Sequence, residues 1–423
     1  MEEFNDLKLS ELKGTDVLFF IRIRGQKSFF KNFYTDGILK LFPNIEDHET
    51  ISEYPNANIY INLNKVKLHN FTYSDYEIIN KVIDFPEISH RERVFRRSSL
   101  LDSKRQILLC AKFFIDLFSN SKPKLMVIPV VDNYVLDILV RVAGHYNIPV
   151  MGVCNFFIKG YKRLTVYGER NIVRTPSIDE VQGVLNDLLA VKPSFMANNR
   201  KRAVLNYLYN LLSYSYRFVS RYLIGYKMLG KLSYEHKYVN KFTSSPFKNF
   251  AFGVFDNVNL EHIDRTKSIY MPLHWHPEAT VDYWVADYND SDYISSLLQV
   301  IAFFEEINVQ VIIKEHPACY LQRSREFYKL LKSYANVKIL QPYVLTQDVI
   351  KYIDNVVVWT GTSGIEMAMN DKNVFIVTEN YYSDLFDLPH YKEFESYDRP
   401  IFTLEQKNQA VKKLLSSTVI VSK

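Results

Sequence analysis

The residues best suited to chemistry in this 423-residue chain lie in three short stretches. The first is Val356-Val357-Val358-Trp359-Thr360-Gly361-Thr362-Ser363-Gly364-Ile365-Glu366, where an apolar run passes into a Gly/Thr/Ser loop and a helix begins at once. A helix N-terminus carries unpaired N–H groups and about half a positive charge, which makes such a loop a phosphate site. Thr360, Thr362 and Ser363 add hydroxyls, and Gly361 and Gly364 let backbone approach an anion. The alternative is an N-cap turn that holds no ligand. The second stretch is Lys314-Glu315-His316-Pro317, from which Lys314 and His316 could reach phosphate oxygens; the plain alternative is a proline that ends a strand. The third is Leu273-His274-Trp275-His276-Pro277-Glu278. His274, His276, Glu278 and His316 are metal-ligand types, yet HxH puts both rings on one side only in extended backbone, and no further His/Asp cluster completes a set. No metal is therefore expected. His274, His276 and Glu278 are assigned to a substrate anion, with Trp275 or Trp284 against a base or sugar ring, the alternative being a structural turn with satisfied histidines.

Ligands of open α/β sheets bind at the carboxyl ends of the strands, so one parallel sheet has to bring these stretches together. The apolar pattern predicts strands over 268–272, 309–314, 337–340, 355–359 and 373–377, with helices over 291–307, 324–334, 346–352 and 365–370 between them. Further upstream it predicts strands over 17–23, 58–63, 125–131 and 149–154, and helices over 103–118, 134–146 and 176–191. A strand over 249–254 and an amphipathic helix over 403–415 complete the pattern. Two successive α/β regions imply a first domain over 1–245, a second over 246–395, and a C-terminal helical segment over 396–423.

With 47% hydrophobic and 23% charged residues, neither a disordered chain nor a fibre fits. Glycine is scarce: 13 are present, whereas an average usage of about 7% would supply roughly 30, so the pair at Gly361 and Gly364 stands out. Three cysteines without CxxC spacing exclude a disulfide scaffold and a thiolate zinc site. The polar, acidic opening is unlike a signal peptide, and no apolar run approaches the ~20 residues of a membrane span, so a soluble cytoplasmic protein is expected. A net charge of +5 implies no nucleic-acid partner. Residues 195–243 differ from the rest, with nine Lys/Arg and eight Tyr against one acid, Glu235. A cationic, aromatic helical segment of this kind suits the surface of an anionic membrane; the alternative is a helical insertion whose tyrosines pack internally.

The order His276-Pro277-Glu278, Lys314-Glu315-His316-Pro317, Thr360-Gly361-Thr362-Ser363-Gly364-x-Glu366 resembles bacterial capsule polysaccharide biosynthesis proteins. Among these are the β-Kdo transferases, which use CMP-activated Kdo, and related nonulosonic acid transferases. The resemblance covers 268–385 and, more faintly, 124–170. It implies an α/β fold of GT-B type: two Rossmann-like domains facing across a cleft, the nucleotide sugar on the second, the acceptor on the first, and the last helix crossing back. By that resemblance His316-Pro317 and the Thr360–Gly364 loop hold the donor phosphate, and Glu366 reaches the ribose. No cofactor beyond a CMP-linked donor is implied. The Kdo enzymes carry an acidic pair before a Gly-aromatic in the first domain, whereas the matching stretch here, Phe157-Ile158-Lys159-Gly160-Tyr161-Lys162-Arg163, has no carboxylate. Glycosyl transfer needs a group to deprotonate the acceptor or to steady an oxocarbenium-like state. Asp132, after the apolar run 125–131, and Glu169 are the candidates, each with a helix cap or surface ion pair as its alternative. Lys159 and Arg163 are candidates for an acidic donor or acceptor, or for plain solvation.

The expected function is transfer of a CMP-activated ulosonic acid to a growing or lipid-linked glycan in surface-polysaccharide synthesis, at the inner face of the cytoplasmic membrane. Its rivals are a CDP-polyol phosphotransferase of teichoic-acid type, a non-catalytic partner of the assembly machinery, and a metal-dependent hydrolase.

Overall fold

The computed structural model describes residues 12–13, 16–21, 49–52, 57–93, 95–190, 253–274, 279–286, 288–316, 323, 325–341, 343–397 and 402–420, together with the helical positions Lys201, Leu205, Leu208, Tyr209 and Leu212. Its contacts divide it into two compact units, Met1–Thr175 with Leu414–Lys423, and Pro176–Lys413.

The first unit is built on strands β1 (Val17–Ile21), β2 (Glu49–Ser52), β3 (Ile59–Tyr60), β4 (Leu125–Pro129), β5 (Val150–Asn155) and β6 (Tyr161–Leu164). Helices α1 (Tyr73–Val82), α2 (Phe85–Arg91) and α3 (Leu100–Asn120) lie between β3 and β4, and α4 (Tyr134–His145) joins β4 to β5. The second unit holds α5 (Ile178–Leu189), α6 (Ala279–Asp282), α7 (Tyr293–Glu306), α8 (Arg325–Leu331), α9 (Thr346–Tyr352) and α10 (Ser363–Met369). Its strands are β7 (Ser268–Pro272), β8 (Gln310–Lys314), β9 (Val337–Ile339), β10 (Asn355–Val358) and β11 (Asn373–Ile376). Helix α11 (Leu404–Ser416) leads to β12 (Thr418–Ile420), which returns to the first sheet.

The two sheets share one strand order. In the second unit it reads β9-β8-β7-β10-β11, every pair parallel. In the first it reads β3-β2-β1-β4-β5, also parallel, and is extended by β6 and β12 in antiparallel pairing. This is the Rossmann order, in which the chain leaves the central strand in one direction and later returns to its other side. The α/β class is therefore observed, as two Rossmann-like units. The sequence reading placed α5 with the first domain; here it belongs to the second unit, where the Asn370 amide donates to the Leu188 carbonyl at 3.1 Å.

The pattern explains itself in physical terms. Strands buried on both faces must be apolar along their inner positions, and Val311–Ile313 of β8 and Val356–Val358 of β10 are, with polar residues only at the strand ends. The helices of the second unit cover its sheet with Leu297, Val300, Ile301 and Phe304, packed on Ile269, Val311 and Ile313. The scarcity of glycine also finds a place. Helices α4, α7 and α10 each end with Asn147, Asn308 or Asp371 in the left-handed region, where glycine is the usual residue. In each, the next N–H reaches back five residues: Ile148 to Ala143, Val309 to Phe304, Lys372 to Met367, at 2.8–2.9 Å. These Asx-based Schellman endings turn the chain straight into the following strand.

Two expectations change. The described part of 249–254 is not a strand: Gly253 lies in a turn at φ 82. The basic stretch 157–163 is a hairpin, with a turn at Ile158–Gly160 (Gly160 φ 92) leading into β6. It pairs with β5 and β12.

Glycines also separate close approach from mere permissiveness. A Cβ on Gly152 would stand 2.0 Å from the Thr165 carbonyl oxygen, whereas one on Gly183, exposed on α5, meets nothing within 4 Å. Gly152→Ala is expected to destabilise by about 3 kcal/mol or to prevent folding, and Gly183→Ala to stabilise by about 0.5–1 kcal/mol. Chemical denaturation of both variants checks the contrast.

Candidate functional site

β7 lies between β8 and β10, so the three strand-end stretches emerge side by side at the carboxyl edge of the second sheet. The boundary between β7 and β10 is the point where strand order reverses, which is where open α/β sheets bind ligands. Lys314 ends β8, His274 follows β7, and Trp359-Thr360-Gly361 follows β10.

The loop after β10 is braced on every side. The Tyr382 hydroxyl donates to the Gly361 carbonyl at 2.7 Å, and the Asn380 amide donates to the Trp359 carbonyl at 2.8 Å. The Thr360 hydroxyl donates to the Thr280 carbonyl at 3.2 Å, and the Thr360 N–H points to His274 Nε2 at 3.4 Å. A Cβ on Gly364 would lie 2.4 Å from the Tyr382 hydroxyl oxygen; one on Gly361 would meet the His274 ring at 3.3 Å. The two glycines thus answer close packing, tightest at Gly364, and not positive φ. Thr362 precedes α10 without capping it through its side chain, and Ser363 opens the helix, so the hydroxyl-rich turn is not closed by a cap of its own.

Lys314 is only 5% exposed, and among the described residues neither a hydrogen bond nor an ion pair reaches its ammonium. Burial lowers its pKa to about 8, against the pull of Glu315 and Glu366. Glu366, half-buried on the first turns of α10, is pushed up to about 7 by desolvation, which the charge of Lys314 only partly offsets. A buried ammonium left without a partner is costly, and an anion is the group that would remove the cost.

Burial governs the two described histidines of these stretches. Burial lowers His274 to about 4, with the Arg323 charge adding to the effect. His316 falls to about 3 through burial and the charges of Lys314, His274 and Arg323. Both are neutral near pH 7. His274 was assigned to a substrate anion; its ring is instead 7% exposed between Tyr293 and Trp359, with Nε2 turned to the Thr360 N–H. His276, Glu278 and Pro317 lie outside the described residues.

Glu315, to which no role was assigned, is fully buried. Its Oε1 accepts the His316 N–H at 2.7 Å; its Oε2 accepts the Tyr328 hydroxyl at 2.6 Å and lies 2.9 Å from Arg323 Nε. Arg323 and Tyr382, both central here, carry no signal in spacing: one is an arginine outside the three stretches, the other one of 30 tyrosines.

In the first unit the structure redistributes the candidates. Asp132 follows β4 at the carboxyl edge of its sheet, half-buried, its carbonyl bonded by the Arg93 guanidinium and its Oδ1 3.3 Å from the Asn133 amide. The Glu169 carboxylate accepts the Val166 and Tyr167 N–H groups, both at 2.7 Å, and the Asn171 amide at 2.8 Å, which makes it the organiser of a turn. Arg163 is 2% exposed and donates to the Gly168 and Glu169 carbonyls, so it holds that turn and is not presented to a substrate. Lys159 is exposed on the hairpin turn. No group of three or more metal-ligand side chains occurs among the described residues.

No family model matches the chain, and no curated protein matches it in sequence. Solved structures do show likenesses. The β-Kdo 2,7 transferase of Thermosulfurimonas dismutans KpsC is 12% identical over 82% of this chain and 87% of its own, with a TM-score of 0.34. The β-Kdo 2,4 transferase of the same organism's KpsC is 11% identical over 68% and 79%, with a TM-score of 0.35. A UDP-GlcNAc 2-epimerase of Methanocaldococcus jannaschii is 12% identical over 95% and 99%, with a TM-score of 0.31. Scores this low carry no weight for fold or activity, and the chemistry has to come from the residues.

Because the Tyr382 hydroxyl is the atom nearest a Cβ on Gly364, the two positions should be coupled. Gly364→Ala alone is expected to destabilise by about 1–3 kcal/mol. In a Tyr382→Phe background the penalty should shrink by about 1 kcal/mol, read from a double-mutant cycle in urea.

Proposed function

We propose that this protein is a glycosyltransferase of bacterial surface-polysaccharide synthesis with a GT-B architecture. Its donor would be a nucleotide sugar, a CMP-linked ulosonic acid, and its acceptor a glycan or lipid-linked glycan. The observation that carries the reading is the buried, unpartnered ammonium of Lys314 beside the uncapped Thr360–Gly364 turn, at the strand-order reversal of a Rossmann-like sheet. Among the described residues of this edge Arg323 is matched by Glu315 and both histidines are neutral, so Lys314 is the cation left for a ligand. One such charge suits a leaving group with a single phosphate.

In the proposed reaction the acceptor hydroxyl oxygen bonds to the anomeric carbon while the bond from that carbon to the phosphate oxygen breaks. The electron pair leaves with CMP, whose charge Lys314 and the loop amides steady. The acceptor proton passes to a carboxylate, for which Asp132 or Glu169 is proposed. Glu366 is proposed for the ribose hydroxyls. Lys314 supplies the positive charge at the phosphate, so activity is expected to survive EDTA. Association with an anionic membrane through residues 195–243 belongs to the same proposal; no described helix is long and apolar enough to cross a membrane.

A thermal-shift panel of CMP, CDP, UDP and GDP tests the donor. CMP should raise the melting temperature; a shift with UDP and none with CMP would sink the ulosonate reading. Product analysis separates the polyol-phosphate alternative, which leaves a phosphodiester. The pH dependence has a definite sign. Lys314, held at about 8, is charged at pH 7 and neutral by pH 9, and Glu366 ionises at the lower end of the same window. A phosphate monoester stays dianionic there, its second pKa being about 6. CMP affinity should therefore fall about tenfold from pH 7 to pH 9. In Lys314→Met it should be weak and much flatter with pH, as calorimetry would show.

A further inference from the structure

The side chains behind the Thr360–Gly364 loop form one connected series across three strand ends. It starts at Glu315 after β8, whose carboxylate holds its own segment through the His316 N–H and holds Arg323 through an ion pair of 2.9 Å. Arg323 is 7% exposed, set against the rings of Tyr293 and Phe327, and its guanidinium donates to the carbonyl of His274 after β7. The His274 N–H in turn donates to the Tyr293 hydroxyl at 3.0 Å, so the residue is gripped at both ends of its backbone. Its ring stands edge-on to Tyr293 and Trp359, and Nε2 accepts from the Thr360 N–H after β10.

We propose that His274 is a positioning residue: a proton-free acceptor, held in place by Arg323 and Glu315, that sets where the Thr360–Gly361 backbone stands. The inference deepens the reading of this loop as the phosphate site and rests on it only for the consequence in binding. An imidazole nitrogen can accept this N–H only while unprotonated, which puts the ring proton on Nδ1. Burial and the neighbouring guanidinium both disfavour a second proton. Gly361 completes the fit, since a side chain there would press on the same ring. None of Glu315, Arg323 and His274 has to touch the ligand; together they present it with a loop already in place.

The test uses four full-length variants and two readouts that do not share a cause of failure. His274→Phe keeps ring volume and removes the acceptor, His274→Gln keeps an acceptor, Arg323→Gln breaks the series one step back, and Lys332→Gln, in an exposed pair with Asp256, is the control. Amide exchange of residues 360–363 is followed by NMR in the absence of ligand, and CMP and cytidine binding by calorimetry. His274→Phe and Arg323→Gln should exchange about tenfold faster in the loop, with His274→Gln within about threefold of wild type. CMP affinity should follow the same order while cytidine, which lacks the phosphate, is unaffected. Unchanged exchange in His274→Phe and Arg323→Gln overturns the proposal, as does a phenylalanine that protects the loop as well as glutamine. If exchange behaves as expected but wild type binds no CMP, positioning stands and the phosphate reading falls.

Discussion

A carboxylate taken wholly out of water has to be answered by protein groups, and the second unit is arranged around one. Glu315 is fully buried at the end of β8, and a backbone amide, a tyrosine hydroxyl and a guanidinium answer it. Removing one partner of such a pair leaves an uncompensated buried charge, at a cost of about 3–5 kcal/mol. The arrangement is therefore close to all-or-none, and it binds the segment after β8 to the segment after β7. Lys314, the neighbouring residue, is the reverse case: buried to nearly the same degree and left without a partner. Adjacent residues thus differ: one is answered on three sides, and the other has no described partner.

Much of the second unit was legible in the sequence. Strands buried on both faces read as continuous apolar runs, and β7 and α9 fall on their expected bounds because proline or polar residues flank them. The expectation that three strand-end stretches meet at one edge depended only on their following neighbouring strands, which the observed order satisfies. Strand β6 was not legible. Its Tyr-Lys-Arg-Leu sequence reads as a basic loop, and only pairing with residues far away in the chain makes it a strand. Strand β2 and helix α2 were missed because they are short, whereas α1 carries a legible signal in its Thr72/Asp75 capping box that went unused.

Site residues were legible by type and less so by role. A histidine after a strand suggests a ligand contact, but whether its ring is a cation or a neutral acceptor depends on burial and on Arg323, about fifty positions away, which no local pattern shows. The same holds for Arg163 and Glu169, chosen for charge and then found to satisfy each other's turn. Lys314, which no described group partners, ends a parallel strand at the carboxyl edge of its sheet.

The return of the chain to the first sheet bears on its order of assembly. Strand β12 covers the outer edge of β6, with the Leu164 N–H donating to the Ser417 carbonyl at 3.0 Å and Arg174 Nε to the Thr418 carbonyl at 2.8 Å. During synthesis β6 emerges long before residues 418–420 exist, and until then it presents an open row of backbone donors and acceptors, the kind of edge that recruits other chains. The first unit, although first to leave the ribosome, is thus the last to be closed.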